Sequence, residues 1–211
     1  MAKFPIYLEM AGRRAVVIGA GPVAIRKVTA LHEVGARITV IAIHVSTPAE
    51  ELFSRYNVEV VLTPYRKDYL VGATLVIAAT NDTPLNKQVY HDCQELEILC
   101  NVVDVPELCD FYTPALVKRG DLQIAIGTDG NCPSYAGHLR RKLEDLFTQT
   151  HGEFLKELEE MRIKVLKSIS NPDERKAILG RLASDESFNI FNEQGRANWK
   201  EYAHAQLVSS Q

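Results

Sequence analysis

From residue 14 to about residue 103 the sequence alternates short apolar runs with helical patterns, and this alternation limits the fold more than any other feature. The runs are RAVVIG, RITVIA, VEVVL, ATLVIAA and ILCNVV, and most of their residues are apolar. Strands that are buried on both faces have this continuous pattern, and helices between them connect parallel strands. We therefore predict an α/β fold, with a parallel, doubly wound sheet of the Rossmann type.

The pattern changes after Phe111. TPALVKRGDLQIAIGT predicts a β-hairpin around Arg119-Gly120-Asp121, and a helix should begin near Pro133. A hairpin and one helix bury too little surface to fold alone, so we expect them to pack on the first domain or to form a homodimer. We predict a Rossmann domain over residues 1–112, a hairpin-helix dimerisation segment over 113–148 and a small helical domain over 149–211. The helical domain has one apolar stripe, to which we assign no chemistry: Phe154, Leu155, Leu158, Met161, Val165, Leu166 and Ile169.

Composition excludes several classes of function. The chain has 211 residues, 46% of them hydrophobic, and a net charge of -3, so it can bury a full core but offers no basic surface for nucleic acid. The sequence lacks an 18-residue apolar run and a signal-peptide pattern, which predicts a cytoplasmic protein without a membrane anchor. The four cysteines form no C-x-x-C pair. We therefore expect neither a disulfide framework nor a resident metal site.

A glycine-rich turn separates the first predicted strand from the first predicted helix. In VVIGAGPVA, Gly19, Gly21 and Ala24 have the G-x-G-x-x-G/A spacing. Such glycines allow a tight turn and a close approach of pyrophosphate to the backbone, and the helix N-terminus offers free N–H groups to the phosphates. The strand-turn-helix context makes a turn that binds nothing the weaker interpretation. We predict that Gly19, Ala20 and Gly21 contact a dinucleotide.

The acidic residue that usually binds the adenosine ribose is missing. It is expected about 20 positions further on, at the end of the second strand. Ala42-Ile43-His44 stands there, and the next carboxylate is Glu50. The spacing therefore does not distinguish NAD from NADP. His44 could contact the ribose or lie in a surface loop, and spacing favours neither.

Two other strand ends carry polar residues. Thr80 and Asn81 follow the fourth strand, at the edge where open α/β sheets bind ligands, so they could face the ribose or the nicotinamide. Asn81-Asp82-Thr83-Pro84 could also form a turn and a helix cap, and both roles can hold together. Asp104 follows the fifth strand and precedes Pro106. It could be a base in a partly apolar cleft, or it could cap a turn by accepting backbone N–H groups.

Long segments of the chain resemble one enzyme family. YLEMAGRRAVVIGAGPVAIRKVTALHEVGARITVIA, LVIAATND and CNVVDVPELCDFYTPALVKRGDLQIAIGTDGNCPSYAGHLRRKLE are similar to the precorrin-2 dehydrogenase and sirohydrochlorin ferrochelatase family. That family includes stand-alone enzymes and the N-terminal half of siroheme synthase. The resemblance runs in order through about residues 4–147. Beyond that point it is only a general similarity to a helical C-terminal region.

The resemblance implies NAD-dependent oxidation of precorrin-2 to sirohydrochlorin, a step toward siroheme. In some members the same site inserts ferrous iron. It implies dinucleotide contacts at Pro22, Val23, Ile43 and His44, and it implies that Asp104 is the catalytic aspartate. The segment that usually resembles IST-x-G-x-SP reads IGTDGNCPSYAG, so Thr128 keeps the hydroxyl while Gly127 replaces a serine. We assign Asn101 and Thr128 to substrate binding.

The implied substrate is a polycarboxylate, which requires cations around an open cleft. Six basic residues are candidates for the cationic groups: Arg26, Lys27, Lys118, Arg119, Arg140 and Arg141.

A different class of function also fits the first 100 residues, namely a regulatory module that senses a dinucleotide and signals through its helical tail. Asp104 and the Thr128 loop distinguish the enzyme from the sensor, because a sensor does not need these residues at the cofactor edge.

Overall fold

The computed structural model describes residues 3–208 and divides the chain into two compact units. The first unit is Met1–Thr113 and the second is Pro114–Gln211, so the division falls one residue after the predicted end of the Rossmann domain. The predicted segments 113–148 and 149–211 do not separate, since from Pro114 onward both lie in the second unit.

The first unit is built on a five-stranded parallel sheet, which confirms the predicted fold class. The strand order is β3-β2-β1-β4-β5, with the first strand in the centre. This is the order of a Rossmann fold, in which ligands bind outside the carboxyl ends of the strands where the order reverses. The strands are β1 Arg14–Ile18, β2 Arg37–Ala42, β3 Glu59–Leu62, β4 Leu75–Ala78 and β5 Leu99–Val102.

Three helices cover the two faces of this sheet. They are α1 (Pro22–Glu33), α2 (Thr47–Arg55) and α3 (Thr83–Glu95). The helices α1 and α2 pack on the face that holds Val17 and Val40. The helix α3 and a short 3-10 turn at Lys67–Leu70 pack on the opposite face. Because helices cover both faces, the central strands are buried except at the half-buried Arg14, as their continuous apolar runs predict.

The expectation of burial on both faces is wrong for β3. This strand is at the edge of the sheet, and Leu62 is 68% exposed. An edge strand pairs on one side only and lies beyond the covering helices, and its apolar sequence does not reveal that position. The end of α1 has the residue that a helix C-terminus favours, since Gly35 adopts a φ of 71° just after the helix.

The second unit contains the predicted hairpin, formed by β6 (Ala115–Arg119) and β7 (Leu122–Ile126). The hairpin packs on helices of its own unit: a Cβ on Gly152 would lie 2.3 Å from the Arg119 carbonyl oxygen. Packing on the first domain or on another subunit stays a prediction. The helices are α4 Pro133–Leu146, α5 Gln149–Ser168, α6 Pro172–Leu182, α7 Asp185–Asn189 and α8 Gly195–Val208, with a π-helical turn at Ile190–Gln194.

The apolar stripe on α5 forms one side of a helical core. Phe154, Met161 and Val165 pack with the fully buried Trp199, whose indole Nε1 donates to the Ser187 hydroxyl oxygen at 2.8 Å. Leu166 was predicted to belong to this stripe, but it is exposed because it points off the buried face. No helix within residues 3–208 has the length and apolarity needed to cross a membrane.

Candidate functional site at the carboxyl edge of the parallel sheet

The glycine turn is fixed by a close backbone contact at the centre of the sheet. Gly19 has a φ of 106° and donates its N–H to the Ile41 carbonyl oxygen at 2.8 Å. A Cβ on Gly19 would lie 2.5 Å from the Ala79 carbonyl oxygen, a distance that side chains do not tolerate. The turn after β1 therefore touches the end of β4, at the point where the strand order reverses.

Gly21 opens this turn toward a ligand. It is the N-cap of α1, no side chain caps the helix, and its first turn has no acidic residue. A Cβ on Gly21 would meet nothing within 4 Å. The protein's own packing does not require a glycine here, whereas a pyrophosphate against the free N–H groups does. Ala20 is buried beneath the turn, Pro22 is exposed and Val23 is half-buried on the first helical turn.

The end of β2 supplies an apolar surface rather than a carboxylate. Ala42 is buried, while Ile43 is 81% exposed and His44 is also exposed. An exposed isoleucine beside the glycine turn fits the face of an adenine ring. The exposure of His44 agrees with ribose contact and with a surface loop alike, so its role stays a prediction. Together with Gly21, these residues fit a dinucleotide.

The side chain of Asn86, which we did not predict from the sequence as a site residue, holds the turn after β4. The Thr80 hydroxyl donates to the Asn86 amide oxygen at 2.7 Å, and the Asn86 amide donates back to the Thr80 carbonyl at 3.0 Å. Asp82 is the N-cap of α3 and accepts from the Leu85 N–H. The predicted turn and cap are therefore present, and Asn81 stays exposed beside them. The signal for Asn86 is its place at the head of the buried stripe of α3.

Asp104 lies in a turn directly after β5. Its φ is 62°, in the left-handed region, which Asp and Asn adopt more readily than most residues other than glycine. Its side chain is exposed rather than set in an apolar cleft. Among residues 3–208 it accepts no hydrogen bond, and the following 3-10 turn at Pro106–Leu108 has no side-chain cap. The turn-cap interpretation is therefore wrong.

The segment after Asp104 returns along β5 and is fastened by buried polar contacts. The Asn101 side chain is 7% exposed and donates to the Phe111 carbonyl oxygen at 2.9 Å and to the Cys109 sulfur at 3.4 Å. Burial raises the pKa of the Cys109 thiol, so it stays protonated and donates to the Val102 or Val105 carbonyl oxygen. These contacts favour a positioning role for Asn101, and its predicted substrate contact stays a prediction.

A basic side chain of α1 lies next to the Asp104 turn. The Lys27 Nζ donates to the Thr113 hydroxyl oxygen at 2.7 Å. Burial lowers the pKa of Lys27, and the Arg26 guanidinium lowers it further, while the Asp104 carboxylate acts in the opposite direction. Lys27 and Asp104 are therefore electrostatic neighbours at one edge of the sheet.

The remaining predicted substrate residue, Thr128, lies in the second unit. Its hydroxyl oxygen accepts from the Cys132 N–H at 3.3 Å, within the loop between β7 and α4. Hydrogen bonds from Ser134 and from the Tyr135 backbone lower the pKa of the exposed Cys132 thiol. Within residues 3–208 no group of three or more His, Cys, Asp or Glu side chains is arranged to hold a metal ion.

The strand order, the glycine turn and the open N-terminus of α1 define a Rossmann-type dinucleotide-binding protein. Residues 6–115 match the NAD_binding_7 model, which describes an NAD(P)-binding family. The chain belongs to this family.

Comparison with known proteins gives relatives in both sequence and structure. The siroheme synthase of Psychrobacter arcticus is 38% identical over 162 residues, which is 77% of this chain and 30% of that protein. The siroheme synthase of Thioalkalivibrio sulfidiphilus is 34% identical over 188 residues, 89% of this chain and 38% of that protein. The chain thus spans about a third of the length of these curated relatives. A solved structure described as SirC, precorrin-2 dehydrogenase, has the same fold, with a TM-score of 0.79, 23% identity, and coverage of 98% of this chain and 100% of that one.

Proposed function

We propose that this protein oxidises precorrin-2 to sirohydrochlorin with NAD as the hydride acceptor. The observation that carries the proposal is Asp104, an exposed carboxylate that accepts no hydrogen bond within residues 3–208 and follows β5 at the cofactor edge. The names of the siroheme synthases and of the SirC structure support the same reaction and substrate.

Different residues of the chain would bind the dinucleotide and remove the proton from the substrate. Gly19, Gly21 and the N-terminus of α1 would hold the pyrophosphate, and Ile43 would support the adenine. When bound, the dinucleotide supplies a nicotinamide that accepts a hydride from a ring-bridging carbon of the substrate. The substrate also loses one proton as its macrocycle becomes conjugated. Asp104 accepts that proton, because its carboxylate is exposed and unbonded at the same edge.

The decisive experiment measures NAD-dependent oxidation of precorrin-2 by the wild type and by Asp104→Asn. Asparagine tolerates the left-handed backbone, so the variant should fold normally and bind NAD with unchanged affinity. Loss of a general base should lower kcat by roughly 10²-fold to 10⁴-fold.

Glu107→Gln is the matched control, because Glu107 is an exposed carboxylate in the adjoining 3-10 turn. We expect it to retain wild-type turnover. Near-normal oxidation by Asp104→Asn would contradict the role of Asp104. A wild type that binds NAD tightly but turns over no tetrapyrrole would favour the dinucleotide-sensing module instead.

Insertion of ferrous iron into sirohydrochlorin stays a separate prediction from the resemblance. Iron would be a substrate here, held only while the pyrrole nitrogens lose their protons. Incubation of the purified protein with sirohydrochlorin and ferrous or cobaltous ion, against a control without enzyme, tests it. An insertion rate equal to that control would restrict the protein to dehydrogenation.

A homodimer in the cytoplasm completes the proposal. Light scattering after size-exclusion chromatography measures the mass in solution, and a mass equal to that of one 23.6 kDa chain would contradict the dimer. Fractionation of cells followed by immunodetection tests the compartment.

A further inference from the structure

Lys27 is a half-buried cation on α1. Within residues 3–208 its ammonium makes one hydrogen bond, to the neutral Thr113 hydroxyl, and forms no ion pair. The Asp104 carboxylate raises the pKa of Lys27 but makes no ion pair with it. Partial burial of an ammonium group is unfavourable unless an anion or several hydrogen-bond acceptors replace the lost water. The folded chain therefore leaves two of the three Lys27 donors available for a ligand.

Two of the other five basic candidates are occupied within the protein. Arg119 donates to the backbone carbonyl oxygens of Phe147, Lys118 and Glu144, which ties the hairpin to α4. Arg140 pairs with Glu144 one helical turn away. Arg26, Lys118 and Arg141 are exposed side chains of the kind that water solvates well.

The position of Lys27 joins it to the two parts of the site. It is on α1, six positions after the N-cap Gly21, and its hydrogen-bond partner Thr113 belongs to the segment that returns from the Asp104 turn. Its position flanks the buried stripe of Ala24, Val28 and Leu31, so its stem packs beside the sheet. The hydrogen bond to Thr113 thus ties the Lys27 ammonium to the segment that follows Asp104.

We propose that Lys27 binds a carboxylate of the substrate beside Asp104 and thereby selects polycarboxylate substrates. This inference rests on the proposed function for the identity of the substrate. The geometry requires only an anionic ligand at this edge. A substrate carboxylate could replace the Thr113 hydroxyl on the Lys27 ammonium or bind beside it. It would make a charge-assisted hydrogen bond at a partly buried position, where such a bond is strong.

The test uses uroporphyrin, an octacarboxylate porphyrin, as a stable binding probe for the full-length protein. Fluorescence quenching measures its affinity for the wild type, Lys27→Met, Lys27→Arg and the control Lys87→Met, which removes an exposed lysine of α3. We expect Lys27→Met to weaken binding about tenfold. Lys27→Arg and Lys87→Met should stay within about twofold of the wild type, because one keeps the charge and the other removes a distant one. NAD affinity should not change in any variant.

The pH dependence of uroporphyrin binding tests the inference without the Lys27→Met variant. An ammonium binds a carboxylate only while it is protonated, and burial lowers the pKa of Lys27 below its ordinary value of 10.5. Wild-type affinity should therefore be full below the lowered pKa and should fall as the pH rises through it. The groups that face Lys27 are Arg26, Cys109 and Asp104. Lys27→Arg should show no such fall, because a guanidinium stays charged throughout.

The outcomes separate this inference from the proposed function. Uroporphyrin binding that depends on Lys27, without oxidation of precorrin-2, would reject the function and retain the inference. Normal oxidation together with equal uroporphyrin affinity in Lys27→Met would overturn the inference alone. Failure of the wild type to bind uroporphyrin would also overturn it. If Lys27→Met does not fold, the pH dependence of uroporphyrin affinity decides. A wild-type affinity that does not change with pH would overturn the inference, and so would an affinity that falls with rising pH in Lys27→Arg as well.

Discussion

Two turns at the same edge of the sheet reach the left-handed region of backbone space for opposite reasons. After β1, the chain needs a glycine, since Gly19 has a φ of 106° and a Cβ there would collide with the Ala79 carbonyl oxygen. After β5, Asp104 has a φ of 62° although a glycine would adopt it at lower cost. The first turn keeps the residue that the backbone requires. The second keeps a carboxylate to which we assign the proton removal.

The largest expected effect is on the first turn. Gly19→Ala adds a methyl group 2.5 Å from a backbone oxygen that cannot move away, at a φ that alanine avoids. Strain of about 1–2 kcal/mol and overpacking of about 1–3 kcal/mol should together lower the free energy of unfolding by roughly 3 kcal/mol. Urea unfolding measures the loss. Gly21→Ala is the control, because its methyl group enters open space, and an equal loss in both variants would contradict the steric argument.

The contrast between the turns shows what the sequence could predict. The glycine turn and the α1 end at Gly35 follow from local residue types, since each requires a particular backbone conformation. The support of Asp104 does not follow, because Lys27 meets Thr113 across 86 positions of sequence and only the folded sheet joins them. The exposed edge of β3 was missed for the same reason, since strand order is a property of the whole sheet.

The second prediction tests the support of the Asp104 turn. Asn101→Ala removes a buried amide and leaves the Phe111 carbonyl oxygen without its donor. The free energy of unfolding should fall by about 1–3 kcal/mol. Hydrogen exchange of the Asp110 amide, which donates to the Cys100 carbonyl oxygen at 2.8 Å, should become faster as the returning segment loosens. Asn81→Ala, an exposed residue at the same edge, should change neither quantity. Unchanged exchange in Asn101→Ala would show that the turn is held by other contacts.

The third prediction separates folding from binding in the first turn. Gly21→Ser provides an N-cap hydroxyl for α1, which should leave the melting temperature unchanged or raise it slightly. The same side chain fills the open space where we place the pyrophosphate and satisfies a helix N–H group. NAD affinity should fall about tenfold or more, equivalent to about 1.4 kcal/mol. Calorimetric titration measures it, and unchanged affinity would place the dinucleotide elsewhere.

The smallest expected effect concerns the strain at Asp104. Asp104→Gly removes the penalty of a left-handed residue but adds the backbone entropy of glycine to the unfolded chain. These terms oppose each other, so the free energy of unfolding should stay equal or rise by up to about 1 kcal/mol, while precorrin-2 oxidation is lost. Thermal and urea unfolding of Asp104→Gly and Asp104→Asn measure the difference. Marked destabilisation by glycine would mean that the carboxylate supports the fold, and the two turns would then share one cause.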